Sequence, residues 1–153
     1  MFFSCSYKYI MKFHSIPLLL IGLFAVPDVF GFFGREQTVG IAGHLTCNHA
    51  PASNVTLKLY DEDIIKDSLL SQEELNDGGS FQMLGHKREF SGIEPYLEIT
   101  HHCGVKRGCQ KKETIGIPER FVEKGHKIKS FYDIGTIDLN RSTKSFTIDC
   151  PHD

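Results

Sequence analysis

The stretch that decides the fold is "LEITHHCGVKRGCQKKETIGIP", residues 97–118. Apolar and polar side chains alternate on both sides of the segment GVKRG, which has a glycine at each end. Alternation with a period of two residues is typical of half-buried β-strands. The stretch therefore predicts an antiparallel hairpin, whose directly opposed pairs are Leu97–Ile115, Ile99–Glu113 and His101–Lys111. Glu113 then lies on the apolar face, unless it sits at a sheet edge or the register slips there.

The same alternation recurs along the chain and predicts about eight short strands. They cover residues 38–47, 54–61, 69–75, 80–85, 96–103, 109–118, 131–139 and 145–150, where Phe146, Ile148 and Cys150 alternate. NDGG at 76–79 is a turn signal, 86–95 reads as a connection, and 118–125 predicts one short helix between Pro118 and Gly125. No pattern indicates a parallel sheet. We expect an all-β fold, a β-sandwich of about seven to eight strands with one short helix.

The N-terminal segment has the pattern of a secretory signal peptide. Lys8 and Lys12 flank an apolar run over residues 16–26, and small residues follow it. A membrane span needs about 20 apolar residues, so an uncleaved anchor is the weaker alternative. We predict a signal peptide over 1–31 and a domain over 32–153, with cleavage after Gly34 as the alternative. Met11 is a second candidate start.

The expected mature chain gives information on the class of partner and on the role of the cysteines. Without residues 1–31 the formal net charge is −3, which gives no reason to expect a nucleic-acid partner. After signal cleavage we expect no membrane span, and we place the protein outside the cell. Cys47, Cys103, Cys109 and Cys150 remain, and four cysteines in a small exported chain predict two disulfides with three possible pairings.

The strand pattern favours one of these pairings. In the hairpin register Cys103 lies opposite Cys109 across the five-residue turn, and directly opposed Cβ atoms are about 4.5–5.5 Å apart. Cys47 ends the first strand and Cys150 ends the last, both on the apolar parity. We therefore predict Cys103–Cys109 and Cys47–Cys150, which staple the sandwich.

A zinc site is the competing interpretation of the hairpin. His101, His102, Cys103 and Cys109 are all possible ligands. Adjacent residues on a strand point to opposite faces, so at most one histidine could join Cys103 at one ion. No Cys-x-x-Cys motif is present, which argues against a zinc knuckle and a redox pair alike. We predict no metal and no cofactor.

Several motifs together resemble the transthyretin-like family of nematodes. They are G-x-L-x-C at 43–47, V-x-L-K-L-Y-D at 55–61, G-x-F-x-M-x-G at 79–85, I-E-P at 93–95 and Y-D-I-G-T-I at 132–137. The similarity spans about residues 38–150, nearly all of the expected domain. It implies a secreted, prealbumin-like sandwich of immunoglobulin-like character, in a family whose members mostly lack an assigned biochemical role.

The resemblance does not transfer an activity. Transthyretin relatives include a 5-hydroxyisourate hydrolase, which has a His/Arg constellation and a C-terminal Tyr-Arg-Gly-Ser tail, and a thyroid-hormone carrier. This chain ends TIDCPHD and is expected to carry a signal peptide, and no ligand-contact motif can be matched. We therefore assign no catalytic residue and expect no enzyme.

Three surface features remain as candidate sites. Asn54 and Asn140 begin N-x-S/T sequons and are candidate glycosylation sites. A basic hairpin turn of Lys106, Arg107, Lys111 and Lys112 could contact an anionic lipid or glycan surface, although such charges also blunt sheet edges. The acidic run at 61–67 lacks EF-hand spacing and reads as a solvated loop.

The function expected from sequence is therefore binding. We expect a secreted, non-enzymatic interaction protein that acts through surface loops or a sheet face on an extracellular protein, lipid or glycan. Alternatives are a carrier of a small apolar ligand, with its pocket at an oligomer interface, bridging of anionic lipid through the basic turn, and, least favoured, a hydrolase. The sequence fixes neither the oligomeric state nor the partner.

Overall fold

The structure, a computed structural model, describes residues 34–141 and 145–151. These residues form ten strands and one short 3-10 helix at Glu119–Phe121. The strands are β1 Arg35–Cys47, β2 Ala50–Pro51, β3 Val55–Asp61, β4 Ser68–Leu75, β5 Ser80–Glu89, β6 Pro95–His101, β7 Gln110–Gly116, β8 Val122–Lys124, β9 Tyr132–Asp138 and β10 Phe146–Asp149. The expected signal peptide lies outside the described residues. Within those residues, no helix has the length and apolarity needed to span a bilayer.

The first sheet is built around β1. Strand β5 pairs antiparallel with residues 35–44 of β1 along one edge, and β2 continues that edge at Thr46 and Cys47. Strands β8 and β9 pair with the opposite edge, and β9 runs parallel to β1 with a register shift between Ala42 and His44. No sequence pattern indicated this parallel pairing, since β9 is brought beside β1 by long-range packing.

The second sheet is antiparallel throughout and has the strand order β10-β7-β6-β3-β4. Its central strands β3 and β6 alternate buried and half-buried residues along their whole length. This is the pattern expected of a strand with one face on a core.

The core lies between the two sheets. β1 and β5 contribute one side of it and β3 and β6 the other. The buried apolar side chains are Val39, Ile41, Leu45, Ala52, Val55, Leu57, Leu59, Leu75, Phe81, Met83, Ile93, Leu97, Ile99, Ile117 and Leu139. Burial of this apolar set, at about 25 cal/mol per Å² of apolar surface, is the main stabilising term of the sandwich.

Strand β1 is covered on both faces near its middle, which alternation alone did not predict. A Cβ at Gly40 would lie 2.7 Å from the Ile128 side chain and 2.8 Å from that of Phe131. The segment before β9 therefore packs directly on the backbone of β1. Only glycine allows so close an approach at position 40.

The sandwich predicted from sequence is confirmed, and so is the hairpin register. Leu97, Ile99 and His101 pair with Ile115, Glu113 and Lys111 as expected. Glu113 is fully buried, so the register does not slip at this residue.

Other expectations require correction. Strand β5 continues to Glu89 through the segment expected to be a connection. The expected helix at 118–125 is a three-residue 3-10 turn followed by β8. In β10, Phe146 and Ile148 are 43% and 53% exposed despite their alternation, because β10 is an edge strand.

Candidate functional site

Two loops meet at the end of the sandwich where β3 and β5 terminate. They are residues 62–67 between β3 and β4 and residues 90–94 between β5 and β6, and we call them the apical loops. The Glu62 N–H donates to the Glu94 carbonyl oxygen at 3.1 Å. An open cleft of about 680 Å³ between them is lined by residues 62–66, 89, 91, 92 and 94. The two loops therefore present one surface.

An ammonium group surrounded by carboxylates lies beneath this surface. Lys87 Nζ is 2.8 Å from Asp61 Oδ2, 2.8 Å from Asp63 Oδ2 and 2.6 Å from Glu89 Oε1. Asp61 is buried, and its Oδ1 accepts the Glu94 N–H at 2.7 Å. Burial lowers the pKa of Lys87, but the hydrogen bonds to the three carboxylates outweigh it and raise that pKa above its ordinary value. Lys87 thus holds the ends of β3 and β5 together.

The β3–β4 loop is also fixed from within. The Asp63 N–H donates to Asp67 Oδ1 at 3.2 Å, and Ser68 Oγ donates to Asp63 Oδ2 at 2.6 Å. The Tyr96 hydroxyl donates to Asp67 Oδ2 at 2.6 Å, and its ring stacks on Tyr60 with centroids 5.4 Å apart. Burial, followed by the Asp67 carboxylate, raises the pKa of Tyr96. These contacts brace the loop at Asp63 and Asp67, on either side of its tip.

The fixed loop carries large apolar side chains into solvent. Ile64 and Ile65 are 106% and 96% exposed, and Phe90 in the neighbouring loop is 76% exposed. Exposed apolar residues grouped on one surface and rimmed by polar ones commonly mark an interaction site. The apical loops are therefore the candidate functional site.

We expect Lys87→Met to lower the free energy of unfolding by about 2 kcal/mol at neutral pH, because the buried Asp61 carboxylate loses its cation. Hydrogen bonds from Lys87 and then from Ser68 lower the pKa of Asp63. The stability due to this lowered pKa is present above the ordinary value of about 3.9 and is lost as pH falls through the folded-state value. The gap between wild type and variant should therefore narrow below about pH 4.

Urea unfolding at pH 7 and at pH 3 measures both effects. Lys66→Met, a change of an exposed lysine in the same loop, is the control and should leave stability unaltered. A constant gap at both pH values would contradict the assignment of the pH dependence to Asp63.

At the opposite end of the sandwich the four cysteines form two disulfides, but not the predicted pairs. Cys47 is bonded to Cys103, and Cys109 to Cys150. The predicted Cys103–Cys109 and Cys47–Cys150 pairings are therefore wrong. That all four cysteines pair, and pair within the chain, agrees with the prediction.

The error has a definite cause, because the strand pairing stops at His101–Lys111 and does not reach the cysteines. The chain turns away from β7 after His101, and the Cys103 N–H donates to His101 Nδ1 at 3.1 Å. Sheet packing brings the end of β1 to Cys103, and the pairing of β10 with β7 brings Cys150 to Cys109. The partners of each cysteine were set by topology.

Three ionisable side chains are buried between the sheets next to the disulfides. Lys111 Nζ lies 2.5 Å from Glu113 Oε1, and His101 Nε2 lies 3.3 Å from the same oxygen. All three side chains are at most 5% exposed. Since His101 Nδ1 accepts a backbone N–H, the imidazole proton lies on Nε2 and points at Glu113. The trio forms a buried polar cluster centred on Glu113 Oε1.

Comparisons with known proteins agree with this architecture. The model of the TTR-52 transthyretin-like family matches residues 42–118. Transthyretin-like protein 5 of Caenorhabditis elegans is 39% identical over 138 residues, which cover 88% of this chain and 99% of that protein. This chain belongs to the transthyretin-like family.

Further relatives support the same membership. Transthyretin-like protein 33 of Caenorhabditis elegans is 38% identical over 76% of this chain and 83% of its own length. Among solved structures, a 9R-lipoxygenase from Cyanothece matches 67% of this chain and 16% of that chain, with a TM-score of 0.37 and 17% identity. That similarity is too low to carry an argument. The family expected from the sequence motifs is thus confirmed.

In this transthyretin-like chain the basic hairpin turn is smaller than expected. Lys106, Arg107 and Lys112 are exposed, but Lys111 is buried against Glu113. Lys112 Nζ also lies 3.4 Å from Glu98 Oε2. The prediction that Lys111 belongs to the exposed basic surface is wrong. It rested on the charge of Lys111 alone, whereas its position in the alternation of β7 places its side chain on the inner face. Lys106 and Arg107 remain as exposed cations at the tip of the turn.

The other candidate residues at this end have clear positions. Asn54 and Asn140 are both exposed, and their glycosylation stays a prediction. His101 is buried and His102 exposed, on opposite sides as the alternation predicted. The disulfides exclude a zinc site that uses the Cys103 or Cys109 thiolate.

The candidate site of this transthyretin-like chain was missed at the sequence level. The run 61–67 was read as a solvated loop, yet Asp61, Asp63 and Asp67 are all bonded internally. The signal that could have revealed it is parity. Continuing the alternation of β5 past Gly85 places Lys87 on the inner face, where a lysine needs carboxylate partners.

Proposed function

We propose that this chain is an exported, non-enzymatic binding protein that acts on an extracellular partner through the loops at the ends of its β-sandwich. The observation that carries the proposal is the contrast between a frame closed by two disulfides and an apical surface that exposes Ile64 and Ile65. Loops held by a rigid scaffold are the usual place for recognition in such folds.

Export is supported by the chemistry of the cysteines. Disulfides persist in oxidising compartments and are rare in the cytosol. The four cysteines of residues 32–153 form two of them, and the segment before residue 32 has the composition of a signal peptide.

A carrier of a small apolar ligand is the first alternative. A carrier of this kind requires an enclosed apolar pocket, which would have to form at an interface between copies of the chain. The apical cleft is open and is lined by carboxylates as well as by isoleucines. Its chemistry fits a macromolecular surface better than a buried apolar ligand.

A hydrolase is the alternative from a different class. His44 Nδ1 and Ser80 Oγ lie 2.9 Å apart, a distance that suits a base and a nucleophile. The two residues are directly opposed partners in the β1–β5 pairing, so strand register accounts for the contact. We therefore propose no reaction.

Expression of the full chain from Met1 in insect cells tests the proposal. We expect the medium to contain a protein that begins at Phe32 by intact mass, and this protein to bind intact cells or extracellular matrix saturably when fluorescently labelled. Unlabelled protein should compete, and a version unfolded by reduction and alkylation should not bind. Retention in the cytosol, or binding that unlabelled protein fails to displace, would refute the proposal, whereas uptake of an apolar dye by an oligomer would favour the carrier.

A further inference from the structure

We propose that the apical loops dock a basic protein segment that also carries apolar side chains. This inference rests on the proposed function and specifies its surface and the chemistry of its partner. It combines three properties of the loops, which are apolar exposure, a fixed conformation and negative charge.

The first property is the exposure of the apolar anchors. Ile64, Ile65 and Phe90 are 76–106% exposed. The other exposed large apolar residues, Leu69, Leu84, Phe146 and Ile148, are only 43–53% exposed and lie on strands. The three side chains therefore project into solvent and could insert into a pocket on a partner.

The second property is the rigidity of the loop that carries two of the anchors. Asp63 and Asp67 are bonded to each other, and they also bind Lys87, Ser68 and Tyr96. Ile64 and Ile65 lie between these two fixed aspartates. A loop already held in one conformation loses little conformational entropy on binding, which favours affinity. Four such contacts around two solvent-exposed isoleucines indicate a preorganised docking element.

The third property is charge, and it selects the partner. The apical loops and the adjoining Glu89 carry five carboxylates and one lysine, namely Glu62, Asp63, Asp67, Glu89, Glu94 and Lys66. Lys87 offsets the buried Asp61, so the surface stays strongly negative. Such a rim attracts Lys and Arg side chains and repels anionic lipid headgroups.

Together these properties define how the partner is recognised. Apolar contacts to Ile64 and Ile65 would hold the complex, and the exposed Glu62 and Glu94 would pair with cations at its rim. Rim charges act mainly on the association rate and are screened by salt. The partner is thus a polypeptide segment with net positive charge and at least one large apolar side chain.

The test is a selection from a random peptide display library on the immobilised exported protein. We expect the enriched peptides to combine Lys or Arg with large apolar residues. Synthetic copies should lose affinity more than tenfold for Ile64→Ser with Ile65→Ser, and less, but increasingly at low salt, for Glu62→Gln with Glu94→Gln. Leu84→Ser with Ile148→Ser, which removes exposed apolar residues elsewhere, is the matched control and should bind normally. Thermal unfolding should be the same for wild type and the isoleucine double variant.

Several outcomes would overturn the inference. They are peptides without net positive charge, no enrichment at all, or full affinity in the isoleucine double variant. Insertion of Ile64 and Ile65 into phosphatidylcholine or phosphatidylserine vesicles, or self-association through the loops, would identify a different occupant. If the double variant still binds intact cells saturably, the docking surface is wrong while the binding function stands. If wild type binds no cells, the broader function fails.

Discussion

Replacing both Cys47 and Cys103 by serine is expected to lower the free energy of unfolding by about 4 kcal/mol, the chain-entropy value for a loop of this size. The two residues are 56 positions apart, and their bond ties the end of β1 in the first sheet to the segment after β6 in the second. Loss of the bond raises the conformational entropy of the unfolded chain. It also removes a covalent connection between the two sheets of the folded state. Urea or thermal unfolding of the purified variant measures the effect.

The Cys109–Cys150 bond is the matched comparison. It closes a separation of 41 residues and ties β10 to β7 within a single sheet. We expect Cys109→Ser with Cys150→Ser to fray the β10 edge, and Cys47→Ser with Cys103→Ser to be the more damaging pair of changes.

Disulfide mapping checks the pairing independently. Lys106 and Arg107 are exposed, so trypsin separates Cys103 from Cys109. Non-reducing digestion should yield Cys47 and Cys103 in one linked species and Cys109 and Cys150 in another. A species that links Cys103 to Cys109 would contradict the structure.

Lys111→Met is expected to lower the free energy of unfolding by about 3–5 kcal/mol, the range found when one partner of a buried ion pair is removed. The change removes the ammonium group that lies 2.5 Å from Glu113 Oε1 and so takes the lysine counter-charge away from a buried carboxylate. The Lys111 ammonium also lies 4.8 Å from the centre of the Phe146 ring, so β10 loses a contact as well. Chemical denaturation at pH 7 measures the difference.

The neighbouring residue supplies the control. Lys112 is exposed on the other face of β7, and its ion pair with Glu98 is a surface pair worth about 0–1 kcal/mol. Lys112→Met should therefore be nearly neutral. Combining Lys111→Met with Glu113→Gln should recover part of the loss, because the buried charge is then removed. Equal stability of the Lys111 and Lys112 variants would show that the cluster is not buried in solution.

The local pattern of the chain determined the strands other than β2 and β8, the two-sheet architecture and the register of the β6–β7 hairpin. Alternation with period two indicates which face of a strand meets the core, because successive side chains point to opposite faces. Even the awkward Glu113 followed the rule, since its parity placed it inside and it is buried there. The family motifs added the same architecture independently.

The tertiary structure alone decided which distant residues meet. Cys47 meets Cys103 because two sheets stack, β9 lies parallel to β1 because the chain crosses between them, and Lys87 meets Asp61 because β5 ends beside β3. Each is a contact between residues far apart in sequence, and alternation within a strand carries no information about which other strand lies beside it or which loop closes over its end. The apical surface of Ile64 and Ile65 depends on such contacts. Parity along β5 could have placed Lys87 on the inner face, but only the folded chain shows which carboxylates meet it.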